Sequence, residues 1–243
     1  MDNVSAAKKL IKCLDLTSLN ATDNSETIIN LCKRAQTPYG NSAAICVYSE
    51  FLPFALKNAP QGVKLATVVN FPEGKTDIKS IEKEIKKAIK SGADEIDAVL
   101  PYHNLLNSDE ETCTNFLQMC RETCEEKHLK IIIESGELKS TKLIKRATQL
   151  CIDAKADFVK TSTGKTKISA TPEAANAILE TIKANGGNTG FKASGGIKTT
   201  EDAKKYLTLA NSILGADWIT PEHFRIGASS VLNDLLKTIE QGY

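Results

Sequence analysis

Two lysines in β-rich runs set the chemistry to look for. One lies in Asp157-Phe158-Val159-Lys160-Thr161-Ser162-Thr163-Gly164-Lys165, the other in Gly190-Phe191-Lys192-Ala193-Ser194-Gly195-Gly196. Successive side chains along a strand point to opposite faces. Val159 suits a face covered by helices, which turns Phe158, Lys160 and Ser162 the other way; Phe191 and Ala193 do the same for Lys192. A buried ammonium is costly unless it is paired or gives up its proton. Neighbouring strands lie roughly 5 Å apart, so two inward lysines on adjacent strands repel. Like charge and desolvation both lower a lysine pKa. A drop of about three units from about 10.4 raises the neutral fraction near pH 7 roughly a thousandfold. A neutral amine attacks a carbonyl to form an imine. A lysine tied to a carboxylate for structure alone is the competing reading for either residue. Two on adjacent strands favour a nucleophile, Lys160, and its activator, Lys192.

Imine chemistry also needs a group that moves protons. In Glu95-Ile96-Asp97-Ala98-Val99, Ile96 and Ala98 suit the helix face and turn Asp97 inward. Asp97 is therefore the candidate acid/base, working near Lys192 through a water; a structural salt bridge to Lys192 is the alternative role. Asp15, in Leu14-Asp15-Leu16-Thr17, is a second inward acid. Glycine-bearing segments supply a candidate anion site: Gly164-Lys165, Ser194-Gly195-Gly196 and Gly227-Ala228-Ser229-Ser230. Glycine lets backbone N–H groups approach an anion closely. Ser229 and Ser230 offer hydroxyls there, or serve as plain helix caps.

These residues need a frame that brings them to one place. Strand-like runs alternate with helical ones along the whole chain. The strands are expected at Lys12–Thr17, Ala43–Tyr48, Lys64–Phe71, Glu95–Leu100, Lys130–Glu134, Phe158–Thr163, Thr189–Ala193 and Asp217–Ile219. Helices are expected at Ile78–Ser91, Ser108–Lys127, Lys139–Ala154, Pro172–Ala184, Glu201–Leu209 and from about Ser229 to Ile239. Eight strands, each followed by a helix, predict an α/β fold: a single-domain TIM (β/α)8 barrel over residues 1–243, with a short extra N-terminal helix within Met1–Ile11. A doubly wound open sheet usually carries a glycine-rich turn after its first strand, and Leu16-Thr17-Ser18-Leu19-Asn20 has none. In a barrel, chemistry gathers where the strands end, and phosphate often sits after strands seven and eight. The glycine segments fall at that rim.

Other features exclude function classes. The net charge of +1 gives no basic excess for nucleic acid or acidic membranes. No apolar run is long enough for a membrane span and Met1–Ile11 has no signal-peptide core, so a soluble cytoplasmic protein is expected. The seven cysteines include no C-x-x-C pair, which argues against disulfides and zinc; Cys113, Cys120 and Cys124 fall at helical spacing as core residues. The three histidines are too few for the usual zinc aldolase of this fold; His103 and His223 are read on the active rim and His128 at the opposite end. No cofactor fingerprint is present, and no metal or cofactor is expected.

The chain resembles the deoxyribose-phosphate aldolases, a class I aldolase family of deoxynucleoside breakdown. The resemblance runs through Leu14–Asn20, Ala43–Cys46, Ala66–Gly74, Gly92–Tyr102, Glu134–Lys139, Asp157–Lys165, Gly190–Gly196 and Phe224–Ser230. It implies that Lys160 forms the imine, Lys192 perturbs its pKa and Asp97 relays protons. The implied substrate contacts are Asp15, Thr17, Cys46, Thr161, Gly164, Lys165, Gly195, Gly196, Gly227, Ser229 and Ser230. The implied partners are a phosphosugar and small aldehydes, with a homodimer as the expected assembly. One departure is Ala193-Ser194, where family members often have Pro-Ala before the double glycine. The rival readings are another Schiff-base aldolase or transaldolase that uses ketose donors, and a non-catalytic phosphosugar-binding barrel. In some relatives a C-terminal tyrosine is thought to help move a proton. Here the last helix descends roughly 15 Å from the rim, and the four residues after it span about 14 Å at most. Tyr243 is therefore expected not to reach the site.

Overall fold

A computed structural model describes residues 1–242. Tyr243 lies outside the described residues, and so does the expectation about it. Eight strands form the barrel: β1 (Leu14–Thr17), β2 (Ala44–Val47), β3 (Lys64–Val69), β4 (Glu95–Val99), β5 (His128–Ile132), β6 (Phe158–Lys160), β7 (Gly190–Ser194) and β8 (Phe224–Ala228). Each pairs in parallel with its sequence neighbours, and β8 pairs with β1 to close the ring. Closure leaves no strand edge unpaired. A two-stranded hairpin, Gln36–Thr37 with Gly40–Asn41, lies outside the ring.

The strands divide their side chains between two environments. Ile45, Leu65, Ile96, Ile131, Val159, Phe191 and Phe224 face out and join the main core under the helices. Inside the ring, Ala44, Cys46, Ala66 and Val68 form a separate small apolar cluster on β2 and β3. The other six strands send charged side chains inward.

Helix starts follow their capping residues. Asp77 accepts from the Ser80 N–H, Asp109 from Thr112, and Thr171 from Ala174 ahead of the helix Pro172–Ala184. Thr199 and Asp202 form a reciprocal capping box at the helix Thr200–Leu214. Each such cap is worth about 1 kcal/mol. The extra N-terminal helix is Asn3–Lys12, capped by Asp2; it buries Ala6, Ala7, Leu10 and Ile11 and packs against the last two helices of the barrel. None of the described helices is long and apolar enough to cross a membrane.

The expected last strand is misplaced. Asp217 and Trp218 lie in a turn, and the eighth strand is Phe224–Ala228. Glycine weakens strands, yet Gly227 lies within this one. It sits inside β8 because the Lys192 side chain lies against it: a Cβ there would come within 2.9 Å of Lys192 Cε. Gly227 is therefore part of the barrel wall, not of a loop after it. The final helix starts at Val231 and runs to Gln241. His223 directly precedes β8, which puts it at the end opposite the active rim, not on it. The helix expected to stop at Leu209 continues to Leu214, and the one expected from Ser108 starts at Glu110, after a separate turn of helix at Tyr102–Leu106.

Candidate active site

The strand faces bring Lys160, Lys192 and Asp97 together inside the barrel. Lys160 and Lys192 are register partners on β6 and β7, and Asp97 on β4 is the register partner of Lys130 on β5. A single oxygen, Asp97 Oδ2, accepts from both Lys160 Nζ and Lys192 Nζ, each at 2.7 Å. The other oxygen, Oδ1, accepts from Lys130 Nζ at 2.9 Å. Asp97 thus bonds both lysines directly, and the salt bridge to Lys192 given above as its alternative role is present. Asp15 accepts from Lys192 and, at 2.6 Å, from Arg225 Nη1 on β8. One layer nearer the strand starts, Glu95 pairs with Lys130 at 2.5 Å and with Arg225 Nη2 at 2.9 Å. The Arg225 guanidinium also lies over the Phe158 ring.

Three carboxylates, Asp15, Glu95 and Asp97, therefore face four basic groups, Lys130, Lys160, Lys192 and Arg225. Charge inside a low-dielectric barrel balances when one of the four gives up its proton. The environments decide which. Burial lowers the Lys160 pKa, and the nearby Lys192 charge pushes the same way, so that Asp97 is outweighed. At Lys192 burial also works against the charge, but Asp15 and Asp97 together overcome it and raise the pKa. Lys130 is raised for the same reason by Asp97, Glu95 and Asp15. Burial opposes the charge on Asp97, yet its three lysines hold the carboxyl well below the usual range. Lys160 is the one amine of the cluster driven toward the neutral form.

Access makes the same distinction. A cleft of about 230 Å³ opens at the strand ends and reaches Lys160, whereas Lys130, Lys192 and Asp97 are sealed beneath it. Its walls are Thr17–Asn20 at the end of β1, Thr163–Lys165 after β6, Ser194–Lys198 at the end of β7 and Gly227–Ser230 at the end of β8. The rim glycines have definite work. Gly195 has φ +85°, and a Cβ there would lie 2.5 Å from Ser169. Neither constraint admits a larger residue. Ser230 makes no side-chain cap at the final helix, and both Ser229 and Ser230 are exposed to the cleft. Backbone N–H groups at a helix start, free hydroxyls and two flanking cations, Lys165 and Lys198, suit an anion. Lys165 Nζ spans the mouth to the Leu19 carbonyl at 2.7 Å.

Of the residues expected at the site, Thr17, Lys160, Gly164, Lys165, Gly195, Gly196, Gly227, Ser229 and Ser230 border the cleft. Asp97 and Lys192 act on Lys160 from below. Asp15 is buried under Lys192 and does not border the cleft. Cys46 faces the interior from β2, and burial raises its thiol pKa, with Asp97 adding to the effect. Thr161 does not border the cleft. Its hydroxyl accepts from Ser194 N–H and donates to Ser194 O, joining β6 to β7, and it is sealed from the cleft. It faces outward because it alternates with Lys160. Glu95, Lys130, Arg225 and Lys198 were missed. The face argument that found Asp97 would have found the first three: Glu95 is two residues from Asp97, Lys130 lies between Leu129 and Ile131, and Arg225 between Phe224 and Ile226.

Known proteins share this fold. The family model described as DeoC/LacD family aldolase matches residues 9–237. Among solved structures, the fold superposes with a TM-score of 0.90 on an apo-form Toxoplasma gondii ME49 protein provisionally assigned as a deoxyribose-phosphate aldolase. The two are 23% identical over 98% of each chain. A Coccidioides immitis protein with the same provisional assignment is 27% identical, with TM-score 0.85, over 96% of this chain and 86% of its own. QR15, an aldolase, is 28% identical, with TM-score 0.81, over 94% of this chain and 96% of its own.

Proposed function

The chain belongs to the DeoC/LacD aldolase family, and on that premise we propose that it reversibly cleaves 2-deoxy-D-ribose 5-phosphate to acetaldehyde and D-glyceraldehyde 3-phosphate, in the breakdown of deoxynucleosides. The observation that carries this reading is the placement of Lys160: an amine biased toward neutrality, at the bottom of the cleft, hydrogen-bonded to the same carboxylate oxygen as a lysine biased toward charge.

The neutral Lys160 amine adds to the aldehyde carbon, C1, of the open-chain sugar. Asp97 relays the proton lost from nitrogen to the former carbonyl oxygen, giving a neutral carbinolamine; a second proton, drawn from solvent, carries that hydroxyl away as water and leaves a protonated imine. Its positive nitrogen is an electron sink. Loss of the C3 hydroxyl proton drives cleavage of the C2–C3 bond; C3 becomes the aldehyde of glyceraldehyde 3-phosphate, and the bonding pair enters the two-carbon enamine. C2 takes up a proton, which balances the one lost from the C3 hydroxyl, and addition of water then releases acetaldehyde, neutral Lys160 and the proton drawn from solvent at the start. Lys192 keeps its charge through Asp15 and Asp97 and holds the Asp97 carboxylate against Lys160. The glycine rim, Ser229, Ser230, Lys165 and Lys198 fit the 5-phosphate.

Incubation with acetaldehyde and borohydride tests the assignment. Mass spectrometry should find one reduced two-carbon unit on Lys160. A label on Lys192 or Lys165 instead would overturn it. Ketose donors should be poor substrates; their efficient use would mean a different Schiff-base aldolase.

A further inference from the structure

One buried acid stands apart from the central cluster and takes no part in the steps above. Glu134, just beyond the end of β5, is fully buried, and among the described residues no cation pairs with it. Its backbone is left-handed, with φ +49°, a conformation disfavoured for any residue with a Cβ. Strain of this kind persists where the surroundings impose it and concentrates at functional sites.

All the hydrogen bonds that the carboxylate receives come from one neighbouring loop. Thr163 Oγ1 donates to Oε2 at 2.5 Å, the Thr163 N–H donates to the same oxygen at 3.2 Å, and Thr166 Oγ1 donates to Oε1 at 3.2 Å. With its proton given to Glu134, the Thr163 hydroxyl turns a lone pair to the Lys165 N–H, 3.0 Å away. That bond closes the turn over Gly164, which has φ +76°. The same two segments are pressed together at a second point. Gly136 abuts Ile168, where a Cβ would lie 2.0 Å from the carbonyl oxygen. The loop in turn packs through Ser169 onto Gly195 of the β7 rim. The carboxylate thus determines the shape of the turn that carries three cleft residues, Thr163, Gly164 and Lys165, without bordering the cleft itself.

We propose that Glu134 is a positioning residue for the substrate's phosphate: it holds the Thr163–Lys165 turn so that the Gly164 backbone and the Lys165 ammonium face the anion. The proposal rests on the reading of the cleft as a phosphosugar site. Glu134→Ala removes the acceptor for the Thr163 hydroxyl and N–H and leaves the Thr166 hydroxyl only the Ile168 carbonyl, 3.1 Å away. Glu134→Gln keeps one oxygen for Thr163 and offers an N–H to the Thr166 hydroxyl, so it should recover most of the loss.

The test compares KM and kcat for deoxyribose 5-phosphate and unphosphorylated deoxyribose in the wild type and both variants, with borohydride trapping of acetaldehyde alongside. Glu134→Ala should raise KM for the phosphorylated sugar roughly tenfold, as expected for lost hydrogen bonds to a charged group. Its kcat/KM for the unphosphorylated sugar and its imine yield should change far less. If Glu134→Ala does not fold, Thr166→Val removes one of the carboxylate's bonds. It should show the same selectivity at about threefold. Equal losses on both sugars, or an unchanged KM for the phosphorylated one, would reduce Glu134 to a structural acid. A wild-type enzyme that traps acetaldehyde but does not prefer the phosphorylated sugar defeats the phosphosugar reading, and this proposal with it. A wild type that does prefer it, beside an indifferent Glu134→Ala, defeats this proposal alone.

Discussion

The inner wall of the barrel has two unlike sides. On β2 and β3 it is made of Ala44, Cys46, Ala66 and Val68, with Thr67 turned away to bond the Val47 carbonyl. On β1 and on β4 to β8 it carries Asp15, Glu95, Asp97, Lys130, Lys160, Lys192 and Arg225. The two sides meet directly, since Val68 and Asp97 are register partners. The difference separates two jobs. The apolar side fills space and excludes water, which makes every interaction between charges stronger. The charged side is paired so fully that only the group with the least compensation, Lys160, is left to lose its proton. A change on the charged side should therefore alter proton affinities, and a change on the apolar side should alter stability.

The largest effect is expected at Lys160. Lys160→Met removes the nucleophile and should lower turnover by ~10⁴-fold or more, abolishing the acetaldehyde adduct. A trapped adduct in that variant would move the chemistry to another amine. Lys192→Met comes next. Lys160 reacts as the neutral amine, so activity rises as pH passes upward through its pKa. Lys192 depresses that pKa by its charge and by competing for Asp97. Its loss should raise the Lys160 pKa and carry the acid limb of the rate profile to higher pH by about a unit or more, with turnover down roughly a hundredfold. An unmoved limb with normal turnover would remove Lys192 from the mechanism.

Gly227→Ala touches the charged side by bulk alone. The new methyl would meet Lys192 Cε and Ser194 Cβ. Shifting Lys192 off Asp97 should cost about 1–3 kcal/mol of stability and roughly tenfold in turnover. The acid limb should move in the same direction as in Lys192→Met, by less. A loss of stability with the pH profile intact would show that Lys192 tolerates displacement. The smallest functional effect is expected at Val68→Ala. It should cost about 1–2 kcal/mol in chemical denaturation and leave the acid limb where it was. A shifted limb would erase the contrast between the two sides, because apolar packing would then also tune Lys160.

Local alternation was enough to read the inward faces of β4, β6 and β7. Each presents a charged residue directly after an apolar one, and period two admits only one assignment once the apolar face is buried. Helix starts were equally legible where an Asp or Thr preceded an amphipathic run, as at Asp77 and Thr171, because capping is settled within three residues. The last strand was not, since Gly227 reads locally as a breaker and its reason for being in a strand is a side chain 35 positions earlier. Glu134 was equally hidden: a left-handed glutamate has no local signature, and its partners lie on the next strand's loop.

What the amino-acid sequence determined by itself is the period, the face and the caps, hence a barrel with two inward lysines and an inward aspartate. Which amine is neutral was decided only by the tertiary structure. Both lysines lie in β-rich runs and are equally basic in isolation. Lys192 is held charged by Asp15, 177 residues away in the chain, while Lys160 has only a share of Asp97 and an opening to the cleft. Electrostatic energy depends on distance in space and on burial, and neither is written in the separation of residues along the chain.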